Sequence, residues 1–141
     1  MTGLDHLVLT VADIEASVAF YAKIMGMEHK QSPQGRHSLH FGTAKINLHQ
    51  QGHEFQPHAS NPLPGSADLC FLTATPVETM INHLRHGLVD IIEGPVRRTG
   101  AAGELLSIYF RDPDGNLLEV ANVLPSTSSD STSFQEKNHA A

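Results

Sequence analysis

At 141 residues and 40% hydrophobic content, the chain is long enough for one domain, or for two small halves sharing a core. A formal net charge of -6 without any basic run argues against nucleic acid, and no apolar run approaches the ~20 residues of a membrane helix. The single cysteine, Cys70, rules out an internal disulfide and fits a reducing compartment, so a cytoplasmic protein is expected.

Met1-Thr2-Gly3 leads straight into a strand-like segment, and no signal peptide is expected. Leu4 to Val11 alternates: Leu7, Leu9 and Val11 share one face, and His6, Val8 and Thr10 the other. Asp13 can cap a helix that carries Ile14, Val18, Tyr21 and Met25 at helical spacing, with Gly26 suited to its stop. Met27 to Ser32 reads as a short polar strand, and Pro33-Gln34-Gly35 as a turn. Arg36 to Phe41 and Lys45 to His49 read as further strands. In these, Leu39, Phe41, Ile46 and Leu48 oppose Ser38, His40, Asn47 and His49.

Gln50 to Ser66 is polar, with three prolines and two glycines, and reads as a linker. Ala67 to Thr73 is again strand-like. Thr75-Pro76-Val77-Glu78 has the form of a capping box with proline at the first helical position. The helix after it is predicted to place Val77, Met80, Ile81, Leu84 and Leu88 on one stripe. Asp90 to Glu93 starts a strand that Gly94-Pro95 is expected to break. A flexible Thr99 to Gly103 follows the adjacent Arg97 and Arg98. Two apolar runs, Leu105 to Phe110 and Leu117 to Val120, flank the turn Asp112-Pro113-Asp114-Gly115 and form a hairpin.

The chain thus repeats one β-α-β-β-β unit, at residues 3–50 and 66–123, within a single domain over 1–123. The expected class is α+β: two curved mixed sheets around a concave cavity, with the helices outside. From 124 to 141 the composition turns polar, and a disordered tail is expected.

Superimposing the units aligns His6 with Asp68 and Asn47 with Glu119. Each helix must cover the aliphatic face of its sheet, so these polar residues belong to the opposite face. Glu119 lies inside an apolar run, where a carboxylate is either solvated, paired, or bound to a cation. An imidazole with carboxylates on facing strands suits a divalent metal, and two or three protein ligands leave room for water or substrate. The alternative is a simple His–Asp pair.

Leu4 to Val11, Phe20-Tyr21, Met25-Gly26-Met27 and Phe110 to Glu119 together resemble the vicinal oxygen chelate superfamily of glyoxalase I, fosfomycin-resistance enzymes, extradiol dioxygenases and bleomycin-binding proteins. Lys45 to His49, Pro62 to Ser66 with Asp68, and Glu93 to Gly100 are similar to the glyoxalase-domain-containing protein 5 group. By that resemblance the metal positions of glyoxalase I fall on His6, Asn47, Asp68 and Glu119. His6 and Glu119 match. Asn47 replaces a carboxylate that is also the catalytic base, and Asp68 stands where His or Gln is usual. Both departures count against standard glyoxalase chemistry.

The expectation is therefore a metal-dependent enzyme acting on a small substrate with vicinal oxygens. Its metal ligands would be His6, Asp68 and Glu119, holding one divalent ion (Mn, Ni, Zn, Mg or Fe). His49, roughly 6.6–7 Å along the strand from Asn47, is the candidate base or an ordinary pocket histidine. Asn47 and Tyr109 would line the substrate cavity, as would Arg111 unless it anchors the turn. Arg97 and Arg98 would hold an anionic group, or are plain surface arginines. An Fe(II) extradiol dioxygenase using His6, His49 and Glu119 is one alternative. A metal-free small-molecule binding protein is the other. A homodimer is expected, since a half-open sheet cannot enclose a cavity alone.

Overall fold

The computed structural model describes residues 1–126. The chain runs β1 (His6–Val11), α1 (Ile14–Lys23), β2 (Glu28–Gln31), β3 (His37–Phe41), β4 (Ala44–Gln50), β5 (Asp68–Leu72), α2 (Val77–His86), β6 (Glu93–Thr99), β7 (Glu104–Arg111) and β8 (Leu117–Val123). One sheet has the order β1-β4-β3-β2 and the other β5-β8-β7-β6. This is the α+β pair of β-α-β-β-β modules that the repeat predicts. The tail expected to be disordered lies, past Ser126, outside the described residues; Leu124 donates its N–H to the Glu104 carbonyl at 2.9 Å.

Each helix carries the chain back so that the first strand of a module lies parallel to its last, β1 on β4 and β5 on β8. In α1, Asp13 caps as expected: its side chain accepts from the Glu15 N–H at 3.0 Å. Past its end, Gly26 takes φ +71°, which reverses the chain at no steric cost.

The start of α2 differs from expectation. Pro76, not Thr75, occupies the N-cap, and no side chain of the local sequence caps the helix. The cap comes instead from β8, where Asn122 Oδ1 accepts from the Val77 N–H at 2.8 Å. The Asn122 amide also donates to the Thr73 and Thr75 carbonyls. Gln50 has the same place in the first module, accepting from the Ile14 N–H and donating to the Val11 and Ala12 carbonyls. Leu88 also departs from the predicted stripe. It follows the helix at φ +59° and is 92% exposed, because the chain turns at Gly87 before the next turn of helix can form. Gly94-Pro95 does not break its strand either. β6 runs through it with a register shift between Glu93 and Val96, a bulge that accommodates proline.

The aliphatic faces of both sheets and the two helices merge into one cluster. Leu9, Val11, Ile46 and Leu48 of the first module join Ile108, Phe110, Leu118 and Val120 of the second. The seam between modules includes a buried polar contact. Tyr21, fully buried on α1, donates to Asp112 Oδ2 at 2.6 Å. Asp112 Oδ1 accepts from the Asp114 and Asn116 N–H groups, and Oδ2 from the Asn116 side chain. The β7–β8 turn is therefore held both by its own sequence and by the opposite module. No helix among the described residues is long and apolar enough to cross a membrane.

Candidate functional site

Strand alternation sorts the predicted residues onto the two faces directed away from the shared core. On the first sheet, ladder partners share a face, so His6 with Lys45, Val8 with Asn47, and Thr10 with His49 stand together. On the second sheet, Cys70, Glu119 and Tyr109 lie across three neighbouring strands in one row, with Asp68 one step along β5. His6 and Glu119 thus oppose the helix-covered faces, as the repeat required.

Glu119 is half-buried, and Ser107 Oγ donates to its Oε2 at 2.6 Å. Cys70 and Tyr109 flank it. Burial pushes the Cys70 thiol up to about 11, and the Glu119 carboxylate beside it adds to the shift. Burial raises Tyr109 too, against the lowering effect of Arg98. No Lys, Arg or His among the described residues forms an ion pair with Glu119. A cavity of about 390 Å³ opens over this row, roofed by Gly100 to Gly103 and bordered by Leu72, Arg98 and Val123.

The two arginines separate. Arg98 donates from Nε to the Tyr109 hydroxyl at 2.9 Å and pairs with Glu93, and these two partners raise its pKa. Arg97 shares a face with Leu106, on the other side of the sheet, and meets Glu104 at 3.5 Å. Arg111 anchors the turn, donating to the Gly115 carbonyl at 3.1 Å.

His6 is half-exposed, with Nδ1 2.8 Å from Asp5 Oδ1. A carboxylate only accepts, so Nδ1 is the donor of this contact and Nε2 is the ring nitrogen left over for another partner, the arrangement seen in metal-binding histidines. Asn47 is half-buried on the same face. His49 is 8% exposed and packs edge-on to Phe55 of the linker, with ring centroids 5.5 Å apart. Burial lowers its pKa, only partly offset by Glu54, so the ring is neutral near pH 7.

The donor set fits a divalent ion chemically: an imidazole held by Asp5 through Nδ1, a half-buried carboxylate without a cation partner among the described residues, and a second carboxylate at Asp68. One chain does not assemble it. Among the described residues no three His, Cys, Asp or Glu side chains form a group that could hold a metal. His6, Asn47 and His49 lie on one sheet, Asp68 and Glu119 on the other, and no ladder joins the two. Sequence reasoning missed Cys70, and also the grouping of Lys30, Arg36 and Lys45 around Phe55. The alignment of Cys70 with Val8, between the aligned His6/Asp68 pair and the strand end, was the available signal for the first. For the second there was none, because the linker brings Phe55 in.

Comparison with known proteins bears on the fold. The family model for the Glyoxalase/Bleomycin resistance protein/Dioxygenase superfamily matches residues 3–120. Virulence protein STM3117 of Salmonella typhimurium is 53% identical over 118 residues, 84% of this chain and 82% of that protein. Its crystal structure superimposes with a TM-score of 0.86, covering 88% of this chain and 98% of that one. Glyoxalase domain-containing protein RDO1 of Mycosarcoma maydis is 50% identical over 120 residues, 85% of this chain and 68% of that protein. A structure of the fosfomycin resistance protein FosX from Listeria monocytogenes, complexed with Mn(II) and 1S,2S-dihydroxypropylphosphonic acid, shares the fold. Its TM-score is 0.61 at 23% identity, covering 88% of this chain and 92% of that one.

Proposed function

The chain belongs to the glyoxalase/bleomycin resistance protein/dioxygenase superfamily, and on that premise we propose that it is a metal-dependent, glyoxalase-like enzyme acting on a small substrate with vicinal oxygens. Its site is completed by a second copy of the chain, in the cytoplasm. The observation that carries this is Glu119: a half-buried carboxylate in an aliphatic strand, held by the Ser107 hydroxyl and without a basic partner among the described residues. A half-buried carboxylate that faces a cavity and has only neutral donors is a suitable ligand for a divalent cation.

His6 through Nε2, Glu119 and Asp68 would hold the ion. When bound, it acts as a Lewis acid that polarises substrate oxygens and stabilises negative charge developing on them. FosX, which shares the fold, is complexed with Mn(II). Asp5 orients the His6 ring, and Ser107 fixes one oxygen of Glu119. His49, neutral near pH 7, is the group able to take a proton from the substrate. Asn47 and Tyr109 line the two faces that the substrate would touch.

Assembly from two chains is supported by the split of the donors and by the apolar residues left open beside them. Val8 is 45% exposed, Leu72 63% and Val123 57%, all on the polar faces. Covering them with a partner's sheet would remove that apolar surface from water and bring His6 of one chain to Glu119 of the other.

The test is metal content of protein purified without added metal. The wild type should hold about one ion per chain. His6→Ala and Glu119→Gln should each lose most of it and still fold, since Gln can still accept from Ser107. Mixing the two variants under conditions that allow subunit exchange should restore about a quarter of the wild-type sites, because half the dimers are mixed and each has one intact site of two. Unchanged metal in both variants would refute the ligand set. A monomer at micromolar concentration would refute the shared site.

A further inference from the structure

We propose that the cavity over the first sheet is an oxyanion subsite, which binds a carboxylate or phosphonate group on the substrate. The cavity measures about 410 Å³, and its lining includes Lys30, Arg36 and Lys45 but no carboxylate. A chain of net charge -6 with nine Lys and Arg in all places three of them here. Their state differs from that of the arginines on the second sheet. Arg98 is tied to Glu93 and Tyr109 and Arg97 to Glu104, whereas neither Arg36 nor Lys45 forms an ion pair among the described residues. Lys30 has a single exposed partner, Glu28, at 3.3 Å.

Arg36 lies instead over an aromatic face. Its guanidinium carbon lies 4.2 Å from the Phe55 ring centroid. A guanidinium held over a ring face spends no N–H group on an anion there, so its donors stay available for an oxyanion. Beneath Phe55, His49 is nine-tenths buried and lines the same cavity, and its Nδ1 has no hydrogen-bond partner. A buried ring nitrogen without a partner is costly unless a ligand or water meets it. The Glu54 carboxylate, whose Oε2 is buried without a hydrogen-bond partner, acts on the charge of His49 and opposes an anion there.

Lys45 is the ladder partner of His6, so the subsite lies on the same sheet face as the proposed metal ligand. Its assignment as the place of the substrate's charged arm rests on the metal-dependent function proposed above. Anion binding by the cavity itself does not.

The experiment titrates isotopically labelled protein, stripped of metal and then dialysed free of chelator, with methylphosphonate, and separately with acetate, following backbone amides by NMR. Saturable shifts confined to residues 30–49 and Phe55 are expected with one or both probes, and the tighter probe identifies the group. Arg36→Gln and Lys45→Met should each weaken binding about tenfold, the scale of one charge-assisted hydrogen bond. Glu54→Gln should tighten it several-fold, an outcome that a damaged fold cannot mimic. Lys23→Met, outside the cavity, should change nothing. Shifts spread over the whole surface, no saturation with either probe, or an equal loss in Lys23→Met would overturn the proposal. Metal content of His6→Ala is read separately, so a failed metal site and a failed anion site give different results.

Discussion

Replacing Tyr21 by phenylalanine removes one hydroxyl from the seam between the modules and leaves the ring in place. The hydroxyl is fully buried and donates to Asp112 Oδ2 at 2.6 Å. A hydrogen bond to a charged group contributes about 1.5–3 kcal/mol net. Asp112 keeps three other donors, from Asp114, Asn116 and the Asn116 side chain, so the carboxylate is not orphaned. The loss should therefore fall near the middle of that range, about 2 kcal/mol. This is a large share of a typical total of about 5–15 kcal/mol. For a domain of this size it lowers Tm by roughly 6–10 °C. Urea denaturation at pH 7, followed by far-UV circular dichroism, measures it directly, and the m-value should not change.

A second arm uses pH. Burial first, and then the Asp112 charge, push the Tyr21 hydroxyl well above the ordinary tyrosine range. A folded value above the unfolded one means the contribution is complete below pH ~10 and is lost as pH rises beyond it. Above pH ~10 the wild type should therefore lose about 1.4 kcal/mol per pH unit more than Tyr21→Phe does. Groups that titrate in both proteins cancel in the difference. A loss under about 0.5 kcal/mol at pH 7, or parallel stability curves above pH 10, would refute the role given to the Tyr21–Asp112 bond.

Two further predictions concern the second helix. Asn122→Ala removes the cap from the Val77 N–H and leaves the Thr73 and Thr75 carbonyls without that donor, so stability should fall by about 1–2 kcal/mol. Hydrogen exchange should show the loss concentrated in the first turn of α2. Leu88→Gly should stabilise by about 0.5–1 kcal/mol, because the side chain is exposed and its backbone lies in the left-handed region. A destabilised Leu88→Gly in thermal melts would mean that Leu88 is covered in solution.

The arrangement of strands and helices was legible because it depends on local periodicity. Alternation of Leu7, Leu9 and Val11 against His6, Val8 and Thr10 needs only the two-residue repeat of a strand. It assigns His6 to the open face without knowledge of any partner. The same holds for Glu119 between Leu118 and Val120. Gln50 and Asn122 are equivalent positions of the two modules and do the same work at the two helix starts. Thr75 was the attractive cap because it stands in the right place in the sequence. Asn122 took that role because β8 runs beside β5, where β5 feeds the helix.

By itself, the sequence determined the two-module α+β fold, the buried and open faces of β1, β3, β4 and β8, and the turn built on Asp112. These follow from side-chain spacing and from interactions between near neighbours. Only the tertiary structure decided what the polar residues do. It tied Arg98 to Tyr109 and Glu93, sent Arg97 to the other face, and used the linker's Phe55 to hold Arg36 over a buried His49. It also left His6 and Glu119 on separate sheets of one chain. The physical reason is range. Periodicity acts over a few residues, whereas a charge or a hydrogen bond is set by whichever groups the fold brings within a few ångströms, and their distance along the chain carries no record of that.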